Sequence, residues 1–170
     1  MLERRVSVAS AVVLGALAVL HGIWAFSPWP LNSRARFAEV VVGVDERDLP
    51  STAATLGVAG LLALAARLVP IRAGVVPLVG PEWVPRWGVR VLAAALLLRA
   101  AAGFVVSGSR WGDRPESFRR LDLAVYSPLC LALGVAATFL AARDRSSLAD
   151  RRVRPATTTS LLPTQESTCP

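Results

Sequence analysis

Few side chains in this sequence can do chemistry, and those that can stand close to apolar blocks. Arg99 lies in Leu96-Leu97-Leu98-Arg99-Ala100. A charge near the middle of a bilayer costs roughly 2.5–3.5 kcal/mol on insertion scales, and such residues usually face a bundle interior and find a partner. The competing reading is snorkelling, because Arg99 falls only ~12 Å below the loop at Gly108 by helix rise. Asp122, Tyr126 and Cys130 are spaced four apart, which puts them on one face of an α-helix. The single histidine, His21, lies near the same end of its own apolar block. The spacing predicts a polar cluster of His21, Arg99, Asp122 and Tyr126 in the outer half of a helix bundle. Each has a plainer reading as well: an interfacial histidine, a snorkelling arginine, a carboxylate favoured in a first helical turn, a belt tyrosine. Cys130 reads as a small buried hydrophobe.

Other chemistry is not encoded. The two cysteines, Cys130 and Cys169, form no CxxC pair. One histidine and two distant cysteines make no zinc set. No catalytic, cofactor-binding or metal residue is expected, and no cofactor.

The elements that must carry the cluster are set by hydropathy. Of the 170 residues 54% are hydrophobic, and the mean hydropathy is +0.50. The apolar residues come in blocks of about 20, the length an α-helix needs to cross roughly 30 Å of hydrocarbon. Alternating segments of barrel type are missing. The predicted fold is all-α, an integral membrane bundle of four transmembrane helices over residues 1–142. The spans fall at about 6–26, 51–69, 88–106 and 123–142. The first apolar run is too long for a cleaved signal peptide. Pro50 precedes span two where a missing N–H costs little, Pro70 is expected to stop it, and Pro128 is expected to bend the entry of span four. Trp24, Trp29, Trp83, Trp87 and Trp111 all fall at span ends, as aromatic belts do. Small residues recur four apart at Ala11 and Gly15, Ala53 and Gly57, and Cys130 and Gly134, a pattern that lets helices approach closely.

The net charge is +7, and every basic residue is arginine. In a chain this apolar the excess reads as flanking charge for orientation and not as a nucleic-acid surface. Arg4, Arg5, Arg67, Arg72, Arg86, Arg90 and the tail arginines outnumber Arg34, Arg36, Arg47, Arg110, Arg114, Arg119 and Arg120. The positive-inside rule then places both termini in the cytoplasm. The absence of lysine beside abundant Ala, Val and Arg points to a GC-rich bacterial source. Loop 27–49 holds an apolar patch, 37–42, too short to span. It either lies on the membrane, covers the bundle mouth or is an ordinary exposed loop. Residues 143–170 are expected to be a disordered, Arg-rich cytoplasmic tail, which can touch anionic lipid at about 1 kcal/mol per charge near the surface.

Three sequence blocks carry a resemblance. His21-Gly22-Ile23-Trp24, Leu98-Arg99-Ala100 with Phe104, and Phe118-Arg119-Arg120-Leu121-Asp122 running into Tyr126-Ser127-Pro128-Leu129-Cys130 are similar to a bacterial family of small four-helix membrane proteins, catalogued as a domain of unknown function. The resemblance covers residues 6–142 and implies a four-span fold in a bacterial inner membrane, with no assigned activity. Members often carry an acidic residue just before the Phe, where this chain has Gly103. That leaves Asp122 as the nearest partner for Arg99. Three functional readings stay open. The first is a non-catalytic membrane subunit or lipid-associated factor, with the bilayer, a second copy or another membrane protein as partner. The second is a transporter or channel component for a polar or anionic solute. The third is a membrane enzyme using His21, Asp122 and Tyr126 on a lipid-like substrate, with His21 as a base.

Overall fold

The computed structural model describes residues 1–109 and 114–153, with backbone alone for 143–153. Among these there is no strand. Four helices are long and apolar enough to cross a membrane: Leu2–Trp24, Thr52–Arg72, Trp83–Gly108 and Glu116–Ala142. In chain order the elements are α1 (Leu2–Trp24), the short α2 (Arg34–Phe37), α3 (Thr52–Arg72), α4 (Trp83–Gly108), α5 (Glu116–Leu121) and α6 (Ser127–Val153). A π-helical turn (Ala38–Val42) follows α2, and another (Asp122–Tyr126) joins α5 to α6.

Local sequence explains most boundaries. Ser51 caps α3, its hydroxyl accepting from the Ala54 N–H at 3.2 Å, so one orphan donor of the first turn is satisfied. Ser33 does the same for α2 through the Arg36 N–H. Pro70 does not stop α3. It sits inside the last stretch of the helix, which continues to Arg72; its carbonyl then accepts from the N–H groups of Val75 and Val76. Pro128 follows closely on a π-helical turn at the entry of the fourth span. Lacking an N–H, it cannot bond the carbonyl of residue 124 as an α-helix requires. The chain widens into the π turn just before it, where the Ser127 N–H reaches Asp122 O. α6 runs past residue 142 to Val153. The remaining tail, Cys169, Arg110 and Trp111 lie outside the described residues.

The helices pair as α1 with α3 and α4 with α6. The two pairs are joined by an apolar core that includes Leu14, Leu68, Val69, Val89, Ala93 and Leu140. These positions lie toward the Met1 end of the bundle. There, Ser7 Oγ also donates to Val69 O at 3.3 Å, tying the start of α1 to the end of α3. Close approach is made where glycine allows it, though not wherever small residues recur. A Cβ on Gly134 would stand 3.2 Å from the backbone N of Leu97, so α4 and α6 touch there. Gly15 and Gly57, picked out by the same spacing, meet nothing within 4 Å.

Toward the far end the two pairs separate. Between them lies a cavity of about 980 Å³, lined by α1 from Leu17, α3 down to Leu62, α4 from Leu96 and the start of the fourth span. Loop 27–49 covers its mouth. Phe37 and Ala38 are buried, and the Phe37 ring meets Trp24 edge-on at 5.4 Å. Gly43 has φ +76, a left-handed conformation few side chains adopt, and the Phe118 ring occupies the space where a Cβ would go. That contact docks the loop onto α5.

Candidate functional site

The site begins with a stripe on α4. Arg99, Gly103 and Ser107 are four apart and share one face. The π turn presents Asp122 to that face. Its carboxylate is all but sealed: Oδ1 accepts from Arg99 Nη2 at 2.7 Å, and Oδ2 accepts from Ser107 Oγ at 2.5 Å. The two ions differ in exposure. The Asp122 side chain is 2% exposed and that of Arg99 is 44% exposed. Arg99 therefore pairs through one edge and opens to the cavity through the rest.

Gly103 makes this possible. Its missing side chain leaves the space into which Arg99 Nη1, Asp122 Oδ2 and Ser127 Oγ converge. A Cβ there would come within 2.6 Å of Arg99 Nη1 and would overlap the Ser127 hydroxyl. The guanidinium thus lies over Gly103, one turn (~6 Å) above its own Cα in helix rise. Upward reach and pairing, which the sequence offers as rivals, are both realised by one side chain.

Outside the pair, the far end of α4 is held by α5. The carbonyl of Ser107 lies in the last turn of α4, where an α-helix leaves acceptors unmatched. Arg119 supplies two donors to it, Nε at 3.1 Å and Nη2 at 2.9 Å. Glu116 pairs with both Arg119 and Arg120. Asp122 is therefore fixed from two directions: by its own bonds and by the clamp one turn before it.

Tyr126 and His21 occupy other parts of the cavity wall. The π turn changes the register expected for an α-helix. Asp122 and Ser127 turn inward and are buried, while Tyr126 and Cys130 are half-buried. The Tyr126 ring lies 6.2 Å from that of Phe118. On α1, His21 Nδ1 is 2.8 Å from the Leu17 carbonyl, so that nitrogen is the donor. Its ring packs on Trp24 at 5.1 Å. Among the described residues, no hydrogen bond joins His21 or Tyr126 to the Arg99–Asp122 pair. All four line one cavity, with His21 on the α1 wall and the ion pair on the α4–α6 wall.

Several participants escape the sequence reading. Ser107 was accessible to it, since Arg99, Gly103 and Ser107 repeat at helical spacing. Ser127 was not, because only the π turn brings it alongside Asp122. Arg34 and Arg114 reach the cavity from loops. Arg114 lies over the Phe118 ring at 5.5 Å, a stacking geometry guanidinium groups favour. Among the described residues no group of His, Cys, Asp and Glu is placed to hold a metal ion.

The fold and site define a class: a four-helix membrane protein with a cavity between its helix pairs and an ion pair on the cavity wall, its carboxylate buried and its guanidinium half-open. Within that class the chain belongs to the DUF3995 family, proteins of unknown function, whose model matches residues 14–137. The matched region takes in α3 and α4 whole, the later part of α1, the fourth span as far as residue 137, and every residue of the ion-pair site. Neither a curated protein nor a solved structure matches the chain.

Proposed function

We propose that this protein is a non-catalytic, lipid-associated factor of a bacterial cell membrane, with both termini cytoplasmic, and that it holds an amphiphile from the bilayer between its two helix pairs. The cavity carries this reading. At about 980 Å³ it stands at the top of the usual range for ligand sites, roughly 300–1,000 Å³. Its walls are apolar along Leu17, Val58, Leu62, Leu96 and Leu133, and its polar groups gather toward the covered mouth. An amphiphile matches that split between apolar depth and polar rim. Leu14, Val69, Val89 and Leu140 close the opposite end of the bundle, which supports binding over conduction of a solute.

The test is lipid retention. Protein purified in a mild detergent should keep about one lipid per chain, seen by native mass spectrometry. Ala102→Trp, which fills the cavity from an exposed position on α4, should lose it while remaining folded. Wild-type protein that retains no more lipid than the filled variant would overturn the proposal.

A further inference from the structure

Charge separates one class of amphiphile from the rest. Among the described residues Arg34, Arg99 and Arg114 line the cavity, against one lining carboxylate, Asp122. Asp122 is already committed to Arg99 and Ser107. The cavity therefore carries excess positive charge, set beside apolar walls. Charge of one sign at the mouth of a cleft with apolar walls attracts an occupant of opposite sign.

The three cations are not equivalent. Arg34 opens α2 and is exposed, and among the described residues no ion pair to it is seen. Arg114 is exposed and held over the Phe118 ring. Arg99 sits deeper, its guanidinium at the level of Gly103, about five residues or ~7 Å below the end of α4. One edge of that guanidinium is bound to Asp122. The side chain is still 44% exposed, and the open part of a guanidinium can donate to a phosphate or carboxylate. Asp122 thus orients Arg99 while cancelling part of its charge, and the loop cations supply the net attraction.

We infer that the cavity selects an anionic phospholipid, whose phosphate lies among Arg34, Arg99 and Arg114 and whose acyl chains lie between the helix pairs. This rests on the amphiphile reading above. It adds the sign and position of the headgroup and names the residues that read it. A zwitterionic lipid carries a phosphate too, but its own cation would be placed beside the same arginines.

The probe is a pair of lipids with matched acyl chains, phosphatidylglycerol and phosphatidylcholine, competing for the full-length protein in native mass spectrometry. Wild-type protein should favour phosphatidylglycerol by at least tenfold. The double variant Arg34→Gln with Arg114→Gln removes two loop charges and leaves the Arg99–Asp122 pair intact. It should lose most of that preference, falling to within about twofold of parity, a change of ~1 kcal/mol or more from tenfold at 1.4 kcal/mol per tenfold. It should still retain lipid. Retention of both lipids without preference would overturn the headgroup inference and leave the cavity reading standing. Retention of neither would overturn both. Displacement of bound lipid by millimolar inorganic phosphate would show a soluble-anion site and overturn the lipid assignment. An unchanged preference in the double variant would remove Arg34 and Arg114 from recognition, and the inference with them.

Discussion

Replacing Asp122 with alanine isolates the strongest polar contact in the bundle. The substitution removes two charge-assisted hydrogen bonds, from Arg99 Nη2 at 2.7 Å and from Ser107 Oγ at 2.5 Å. Bonds to charged groups contribute about 1.5–3 kcal/mol each, and breaking a buried ion pair from one side costs about 3–5 kcal/mol. The exposure of the partners chooses within that range. Asp122 is sealed, but Arg99 is 44% exposed, so the stranded guanidinium regains some solvation through the cavity. The expected loss for Asp122→Ala is therefore ~3 kcal/mol, at the lower end. Asp122→Asn keeps an acceptor for Ser107 and should lose less. Arg99→Leu combined with Asp122→Leu removes both ions and should recover part of the loss, since an apolar pair avoids desolvation altogether. Unfolding in mild detergent by titration with a denaturing surfactant, followed by tryptophan fluorescence, measures each variant. A loss below about 0.5 kcal/mol for Asp122→Ala, the scale of ordinary surface substitutions, would falsify the claim that this pair holds α4 to the fourth span.

The same geometry makes further predictions. Gly103→Ala places a methyl group against Ser127 Oγ and Arg99 Nη1; it should destabilise by about 1–3 kcal/mol, as overpacking does, and Ser127→Gly in that background should restore part of the loss. Equal stability of wild type and Gly103→Ala in the surfactant titration would contradict the crowding. Gly43→Ala combines a left-handed φ of 76 with the Phe118 ring in its path, and should free loop 27–49 from α5. Limited proteolysis within that loop should accelerate severalfold, and an unchanged cleavage rate would show that the loop is not docked there. Alkaline phosphatase fused after residue 170 should be inactive and a fluorescent protein at the same place bright; active phosphatase would reverse the proposed orientation. Replacing Cys130 and Cys169 by Ser together should leave abundance and folding unchanged, with a marked fall in folded protein refuting a purely packing role for Cys130.

The fold was legible because bilayer crossing imposes a length on apolar blocks that folding in water does not. The ends were harder. Pro70 looks like a stop, yet a proline late in a helix forfeits only its own N–H bond, and its carbonyl, close to the helix end, accepts from Val75 and Val76. The site was legible where charge met apolar sequence: Arg99 and Asp122 stand out because each needs a partner at membrane depth. Ser107 follows from helical spacing once Arg99 is singled out. The approach of Ser127 to Asp122 was hidden, because spacing of four assumes an α-helix and the chain before Pro128 is π-helical. The cavity was hidden for a different reason. It arises from how two helix pairs diverge, and nothing in any single block records the angle between pairs.

That divergence bears on why a costly ion pair sits where it does. An apolar contact at the same place would hold α4 to the fourth span at least as well, and without desolvating two charges. Stability alone therefore does not account for Arg99 and Asp122. What the pair adds is orientation: a sealed carboxylate, itself braced by Ser107 and by the Arg119 clamp on α4, holds a guanidinium half-open on a cavity wall. A lone arginine there would be free to reach the membrane surface, and a fully buried one would present nothing to the cavity. The double variant Arg99→Leu with Asp122→Leu separates these contributions. If it folds with near wild-type stability yet loses its preference for anionic lipid, the pair is retained for recognition. If preference survives with the pair removed, its role is confined to holding the helices together.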